Sequence, residues 1–220
     1  MTMSTLPPDS SPPETDQLLS FSTRRLRAYP ATAAHGAAAK TTLDLLRAHT
    51  IVERDATEAR MALAAELSAF TEEFYVGMTN LSRAALVELK NDRTDPRYAL
   101  AFPKPVSDVL NGAISDAKVA YAEVAIAALS AEPTFTSLAT AIAEVQAQLD
   151  AVKATRTSHL ASIVAERAAE AQLKVTTAAA RDLYNTFLPK LTLLYPKRKG
   201  FVKSFFMQRR KRVSVDEQAP

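Results

Sequence analysis

The sequence predicts an all-α protein, and three observations lead to that prediction. The chain of 220 residues contains 41 alanines but only 4 glycines, and alanine is the strongest helix former whereas glycine is among the weakest. Its 12 prolines leave three long windows free of proline, 31–95, 106–132 and 134–188, as expected if helix interiors exclude that residue. Within these windows apolar residues recur every three or four positions, which is typical of one face of a helix.

The N-terminal segment, residues 1–35, is rich in Pro, Ser and Thr, so we expect a disordered arm there. A short docked helix inside the arm is the alternative, built on four apolar residues: Leu18, Leu19, Phe21 and Leu26. The chain start lacks a positive segment followed by an apolar run, which argues against a secretory signal and makes a cytoplasmic location the default expectation. No stretch approaches the ~18 apolar residues of a membrane span.

The first window predicts a single helix over about 41–91, ended by the polar run before Pro96. The next residues, up to Pro105, contain three prolines and are predicted to form a loop. The apolar stripe of this helix consists of Leu45, His49, Val52, Ala56, Ala59, Leu63, Leu67, Phe70, Phe74, Met78, Leu81, Ala85 and Leu89.

The second window predicts a helix over about 106–131 with Ser107 as its N-cap. The dipeptide Asn111-Gly112 lies within its apolar pattern and is interpreted as part of the helix. The third window predicts one long helix to about residue 188. A break at 154–159, where the stripe lapses, is the alternative and would give four helices of similar length. Either way, the expected architecture for residues 36–195 is an up-and-down helical bundle.

The helix lengths predict self-association. Helices of about 50, 26 and 52 residues are roughly 75, 39 and 78 Å long, so the short one covers only half of either long one. Soluble proteins rarely leave an apolar stripe exposed to water. We therefore expect coiled-coil packing against another copy of the chain or a helical partner. The predicted assembly interface consists of Leu45, Val52, Leu63 and Leu67 in the first helix and Val164, Ala171 and Val175 in the third.

The residues needed for common active sites are missing or wrongly spaced. Without cysteine, thiolate zinc sites and iron–sulfur clusters are excluded. None of the three histidines follows a glutamate by three residues, as a di-iron bundle requires. His49 and Glu53 are four residues apart, which favours a hydrogen-bonded pair over a metal site. The glycines are too scattered for a phosphate-binding loop. We therefore predict a protein that is not an enzyme and holds no cofactor or metal.

The strongest local signal is the C-terminal segment 196–220, which carries eight basic and two acidic residues and supplies the excess positive charge of the chain. Either Phe201, Val202 and Phe205 dock on the bundle as a short helix, or the segment binds an anionic partner. The partner options are an acidic protein surface, a nucleic acid and, less favoured, an anionic membrane surface. The predicted anion-binding residues are Lys197, Arg198, Lys199, Lys203, Arg209, Arg210, Lys211 and Arg212.

Taken together, the pattern predicts a structural or interaction protein that acts through oligomerisation or partner binding, with the basic tail as a secondary contact. The alternative function is a helical protein that binds nucleic-acid phosphates through that tail.

Overall fold

The computed structural model describes residues 5–208, and in that part of the chain the protein is all-α, as predicted, with eight α-helices and no β-strand. Two of the helices are long. The helix α2, Ala33–Glu88, has 56 residues, and α6, Ala139–Asn185, has 47. The others are α1 (Pro12–Arg27), α3 (Pro96–Ala101), α4 (Val106–Val109), α5 (Asp116–Ala131), α7 (Phe187–Leu194) and α8 (Lys199–Lys203).

The N-terminal segment is not a disordered arm over residues 5–35, because α1 occupies most of it. Ser11 caps this helix by accepting a hydrogen bond from the Glu14 N–H. Leu18, Leu19 and Leu26 are buried at 2% exposure or less. The segment therefore forms the docked helix that was the alternative prediction. The expectation of disorder failed because the three leucines of this helix are buried in one apolar cluster, while Phe21 is half-buried.

The helix α2 begins eight residues earlier than predicted, since the alanine-rich run before residue 41 continues it. It ends at Glu88, close to the predicted end at about residue 91. Lys90 and Asn91 have positive φ values of 53° and 65°, and the Asn91 N–H donates to the Leu86 carbonyl at 2.7 Å. Such a left-handed turn satisfies a carbonyl at the helix end that otherwise lacks a partner.

The predicted second helix is much shorter than expected, and two details of that prediction were wrong. Ser115, not Ser107, is the N-cap residue of α5. Gly112 is not helical, because its φ of 60° places it in the left-handed region, which glycine adopts without steric cost. The chain therefore turns there, between the single turn of α4 and the start of α5. The segment predicted to be a loop contains the short helix α3, capped by Asp95.

The third helix is continuous, so the predicted alternative of a break at 154–159 does not occur. Two polar side chains in that stretch hydrogen-bond within the helix. The Thr157 hydroxyl donates to the Lys153 carbonyl at 2.9 Å, and the Ser158 hydroxyl donates to the Ala154 carbonyl at 3.2 Å. The helix ends at Asn185, four residues before Pro189. Proline has no N–H, so Pro189 cannot donate the helical hydrogen bond to the Asn185 carbonyl.

The chain divides into two compact units rather than one bundle flanked by two tails. Unit 1 comprises the residues up to Thr57 and those from Ala165 onward, and unit 2 comprises Glu58–Val164. Each unit has its own apolar core. The core of unit 1 joins both ends of the chain, and it includes Leu19, Leu46, Tyr184, Phe187, Phe205 and Phe206. The core of unit 2 includes Phe74, Met78, Leu81, Leu129, Phe135 and Leu149.

Polar contacts also attach the N-terminal segment to unit 1. The Asn185 side chain accepts a hydrogen bond from the Leu6 N–H at 2.7 Å and donates to the Leu6 carbonyl at 3.1 Å. The Ser22 hydroxyl donates to the Phe205 carbonyl at 2.8 Å, and both residues are buried. Hydrogen bonds between residues so distant in sequence hold the N-terminal segment, α6 and the residues after α8 together.

We expect Gly36→Ala to lower the free energy of unfolding by about 1–3 kcal/mol. A Cβ atom at Gly36, in α2, would lie 2.6 Å from Arg27 Cγ and 2.8 Å from the Arg27 backbone nitrogen at the end of α1. That backbone cannot move without displacing α1, so the clash outweighs the gain in helix propensity of ~1 kcal/mol. Urea unfolding followed by circular dichroism measures the change. The control is Gly200→Ala in α8, where an added Cβ atom would meet no other part of the fold within 4 Å. Equal stability of the two variants would contradict the close approach at Gly36.

Candidate functional site

The predicted apolar stripe of α2 has two different environments. From Phe74 onward its residues lie in the core of unit 2. In unit 1, Leu45 and Val52 are 49% and 53% exposed, while Leu43 and Leu46 are buried. Successive helix residues are about 100° apart around the helix axis. The face of α2 that packs in the core of unit 1 is therefore the one that carries Leu43 and Leu46, and it is rotated by roughly 100° or more from the direction of Leu45. The predicted residues Leu63 and Leu67, in unit 2, are half-buried.

A second apolar stripe is exposed on α6. We call Leu160, Val164, Ala168, Ala171 and Val175 the α6 stripe; all five are exposed, and Val164 and Val175 retain 66% and 64% of their accessible surface. At about 100° per residue these side chains fall within about 80° of one another. The buried residues Leu173, Ala180 and Tyr184 lie about 180° away around the same helix. The residues of the α6 stripe that belong to unit 1, Ala168, Ala171 and Val175, therefore point away from the core of that unit.

The central parts of both long helices contribute nothing fully buried. Within the described chain, no residue of 47–70 in α2 and none of 156–168 in α6 is classed as buried. Helices in proteins are stabilised mainly by packing of an apolar face. These stretches are therefore the least supported parts of α2 and α6.

His49 is hydrogen-bonded to a residue other than the predicted Glu53. Its Nδ1 lies 2.6 Å from the Thr176 hydroxyl oxygen, and that hydroxyl also donates to the Gln172 carbonyl at 2.9 Å. Because a hydroxyl has one proton to donate, His49 Nδ1–H is the donor to Thr176. In the described residues, no group of three or more His, Asp or Glu side chains is placed to hold a metal ion.

Part of the basic C-terminal segment packs into unit 1. Val202, Phe205 and Phe206 are buried at 4% exposure or less, as the docking alternative predicts. The Phe201 ring is half-buried and contacts the rings of Tyr29, Tyr195 and Phe205, with centroid distances of 5.0–5.2 Å. The Phe201 ring therefore packs within the fold of unit 1 and remains partly exposed. The predicted cations Lys197, Arg198, Lys199 and Lys203 are exposed; Arg209, Arg210, Lys211 and Arg212 lie outside the described residues.

The sequence reasoning missed three further cations next to this segment. Arg24, Arg25 and Arg27 occupy the last turn of α1 and are exposed. Tyr29 follows them and packs edge-on against Phe201, with ring centroids 5.1 Å apart. A signal was present in the sequence, since no acidic residue occurs between Gln17 and Leu43. It was hidden because the charges of residues 1–35 sum to zero.

Unit 2 contains a cleft of about 1070 Å³ that the sequence did not predict. Leu67, Tyr75, Ile114 and Leu160 contribute to its lining, together with Arg156. Arg156 Nη1 lies 2.5 Å from a carboxylate oxygen of Asp116, and this hydrogen bond lowers the pKa of Asp116. Burial raises the pKa of Tyr75, whose buried hydroxyl oxygen has no hydrogen-bond partner in the described chain. The cleft therefore combines an apolar wall with an arginine that is paired to a carboxylate.

Comparison of the chain with protein-family models, with curated proteins and with solved structures gives no match. None of the helices within residues 5–208 combines the length and apolar character that a bilayer-spanning segment needs.

Proposed function

We propose that this chain is a structural or interaction protein that acts by self-association, with the α6 stripe of one copy packed against the α6 stripe of a second copy. The observation that carries the proposal is the exposure of five apolar residues along one face of α6. Val164 and Val175 each leave about two thirds of their surface in water. Burying such side chains is favourable by about 25 cal/mol per Å² of apolar surface.

The α6 stripe is self-complementary in an antiparallel arrangement. Four of its residues are symmetric about the point between Arg167 and Ala168, so that Leu160 of one copy meets Val175 of the second copy, and Val164 meets Ala171. Small residues at the centre allow the helix axes to approach to about 8 Å. This symmetry is what an interface between two identical surfaces requires, and it favours a second copy over an unrelated partner.

The charged residues beside the α6 stripe support the same pairing. Arg167 and Glu170 are exposed and flank one side of the stripe, three residues apart. In the antiparallel arrangement centred near Ala168, Arg167 of each copy lies beside Glu170 of the other. Opposite charges at the edge of an interface fix its register and contribute modestly to its affinity.

We expect the wild-type chain to have about twice its monomer mass of 23.9 kDa in sedimentation equilibrium, and Val164→Glu to be monomeric. Val164 is near the centre of the α6 stripe, and a buried carboxylate without a partner disfavours the dimer. The matched control is Leu100→Glu, which places the same charge at a leucine of α3 that is 68% exposed. We expect the control to stay dimeric. A wild-type mass of 23.9 kDa at every concentration would show that the proposal is wrong.

The register has its own test in the same experiment. Arg167→Glu alone brings two acidic residues together across the interface and should weaken the dimer several-fold. The double variant Arg167→Glu/Glu170→Arg reverses both charges and should restore most of the lost dimer affinity. The single variant Glu170→Arg measures the separate effect of losing the salt bridge from Glu170 to Lys174, which is 3.2 Å long, and completes the double-mutant cycle. No recovery would contradict the antiparallel register while leaving the Val164→Glu result to decide self-association.

A further inference from the structure

One end of unit 1 brings three positively charged segments together. The rings of Tyr195, Phe201 and Tyr29 form a continuous row, with centroid distances of 5.0 and 5.1 Å between neighbours. Tyr195 follows α7, Phe201 belongs to α8, and Tyr29 follows α1. The row therefore joins the end of α1 to α7 and α8, although residues 28–186 separate α1 from α7 in sequence.

The cations on these segments have no acidic neighbours in sequence. No aspartate or glutamate occurs from Gln17 to Leu43 or from Leu183 to Gln208. Seven exposed cations lie within five residues of a ring of this row along the chain, and none is in an ion pair in the described chain: Arg24, Arg25, Arg27, Lys197, Arg198, Lys199 and Lys203. Such a concentration of one charge attracts polyanions.

Two exposed leucines lie beside these cations. Leu193 is 83% exposed and Leu194 is 45% exposed, whereas Leu191 in the same helix is 1% exposed. They precede Lys197 by four and three residues. A phosphate backbone makes no favourable contact with exposed leucines, and the three half-buried rings of the row pack edge-on against one another. An anionic bilayer uses both features, since leucines enter the headgroup region while lysines and arginines remain at the lipid phosphates.

We propose that this end of unit 1 docks on the surface of anionic lipid bilayers, with Leu193 and Leu194 inserted at the headgroup level and the seven cations facing the lipid phosphates and carboxylates. The inference does not depend on self-association, although a dimer would present the surface twice. Each cation near an anionic surface contributes about fivefold to the partition constant. Binding is therefore expected to require acidic lipid and to weaken with salt.

The test is co-sedimentation of the full-length protein with vesicles of phosphatidylcholine alone and with about 30% phosphatidylserine. We expect binding to the acidic vesicles only. Arg24→Gln/Arg25→Gln in α1 and Lys197→Gln/Lys199→Gln beside α8 should each lower the partition constant about tenfold or more. The matched control is Arg93→Gln/Lys104→Gln, which removes two exposed and unpaired cations from unit 2 and should bind nearly as wild type does.

Leu193→Ser separates a lipid surface from other polyanions, because it changes no charge and alters a side chain that packs against nothing in the core. It should weaken vesicle binding several-fold with an unchanged circular dichroism spectrum. Failure of the wild-type protein to bind acidic vesicles, or equal loss in the control, would overturn the proposal. Salt-sensitive binding to an oligonucleotide together with vesicle binding that Leu193→Ser leaves unchanged would also overturn it, and would assign the surface to nucleic acid.

Discussion

We expect Phe206→Ala to lower the free energy of unfolding by about 3–5 kcal/mol, because it removes a buried ring from the core of unit 1. The Phe206 side chain is 1% exposed, and its ring lies 5.7 Å from that of Tyr184 in an edge-on geometry. Tyr184 is itself fully buried, and burial raises the pKa of its phenol to about 12. Truncation at Phe206 leaves a cavity against this ring, and the surrounding helices can only partly close it.

The measurement is urea unfolding followed by far-ultraviolet circular dichroism. Leu193→Ala is the control, because this leucine is 83% exposed, and its change should stay within about 0.5 kcal/mol. The same control shows that weaker vesicle binding by a Leu193 variant does not come from unfolding. A change of less than about 1 kcal/mol for Phe206→Ala would contradict the packing of the C-terminal segment into the core.

We expect Leu19→Ala to lower the free energy of unfolding by about 2–5 kcal/mol. Leu19 is fully buried in α1, and its cluster includes Leu43 and Leu46 of α2. In a disordered arm the same substitution would have no effect, since the side chain would be solvated in both states. The experiment therefore distinguishes a docked N-terminal helix from a solvated segment.

Gln17→Ala is the matched control for Leu19→Ala. It lies two residues earlier in α1 and is exposed, so its effect should stay within about 0.5 kcal/mol. Similar small effects of both substitutions would show that α1 is not packed against α2 in solution. A large effect of Leu19→Ala with a small effect of Gln17→Ala would show that α1 stabilises unit 1. Together with a large effect of Phe206→Ala, it would show that the segments near both ends of the chain do so.

Which leucines of α2 are buried in unit 1 could not be predicted from the sequence. Leu43, Leu45 and Leu46 are chemically identical, and they point in different directions around the helix. The periodic pattern selected Leu45 because it is in phase with the stripe that continues into unit 2. The structure buries Leu43 and Leu46, because the ends of the chain pack on that side. Only long-range packing distinguishes the three.

The turn at Gly112 illustrates a second limit. Val106, Leu110 and Ile114 repeat at helical spacing, so periodicity alone favours an uninterrupted helix. The local backbone preference of Asn111-Gly112 acts against it, and the left-handed φ of Gly112 ends the pattern. The predicted assembly interface stays a prediction, and its residues differ in exposure, since Leu63 and Leu67 are half-buried. Leu45, Val52, Val164, Ala171 and Val175 are all exposed, as residues available for an intermolecular contact must be.

The amino-acid sequence by itself determined that this protein is all-α and that its C-terminal region is strongly basic, and it favoured a continuous helix in the third window over a break at 154–159. These properties depend on helix propensity, proline placement and charge, which act locally along the chain. The tertiary structure alone decided that both chain ends fold into one unit, which leucines are covered, and that Arg24, Arg25 and Arg27 join the basic segment. Those outcomes depend on contacts between residues far apart in sequence, whose geometry no local pattern encodes.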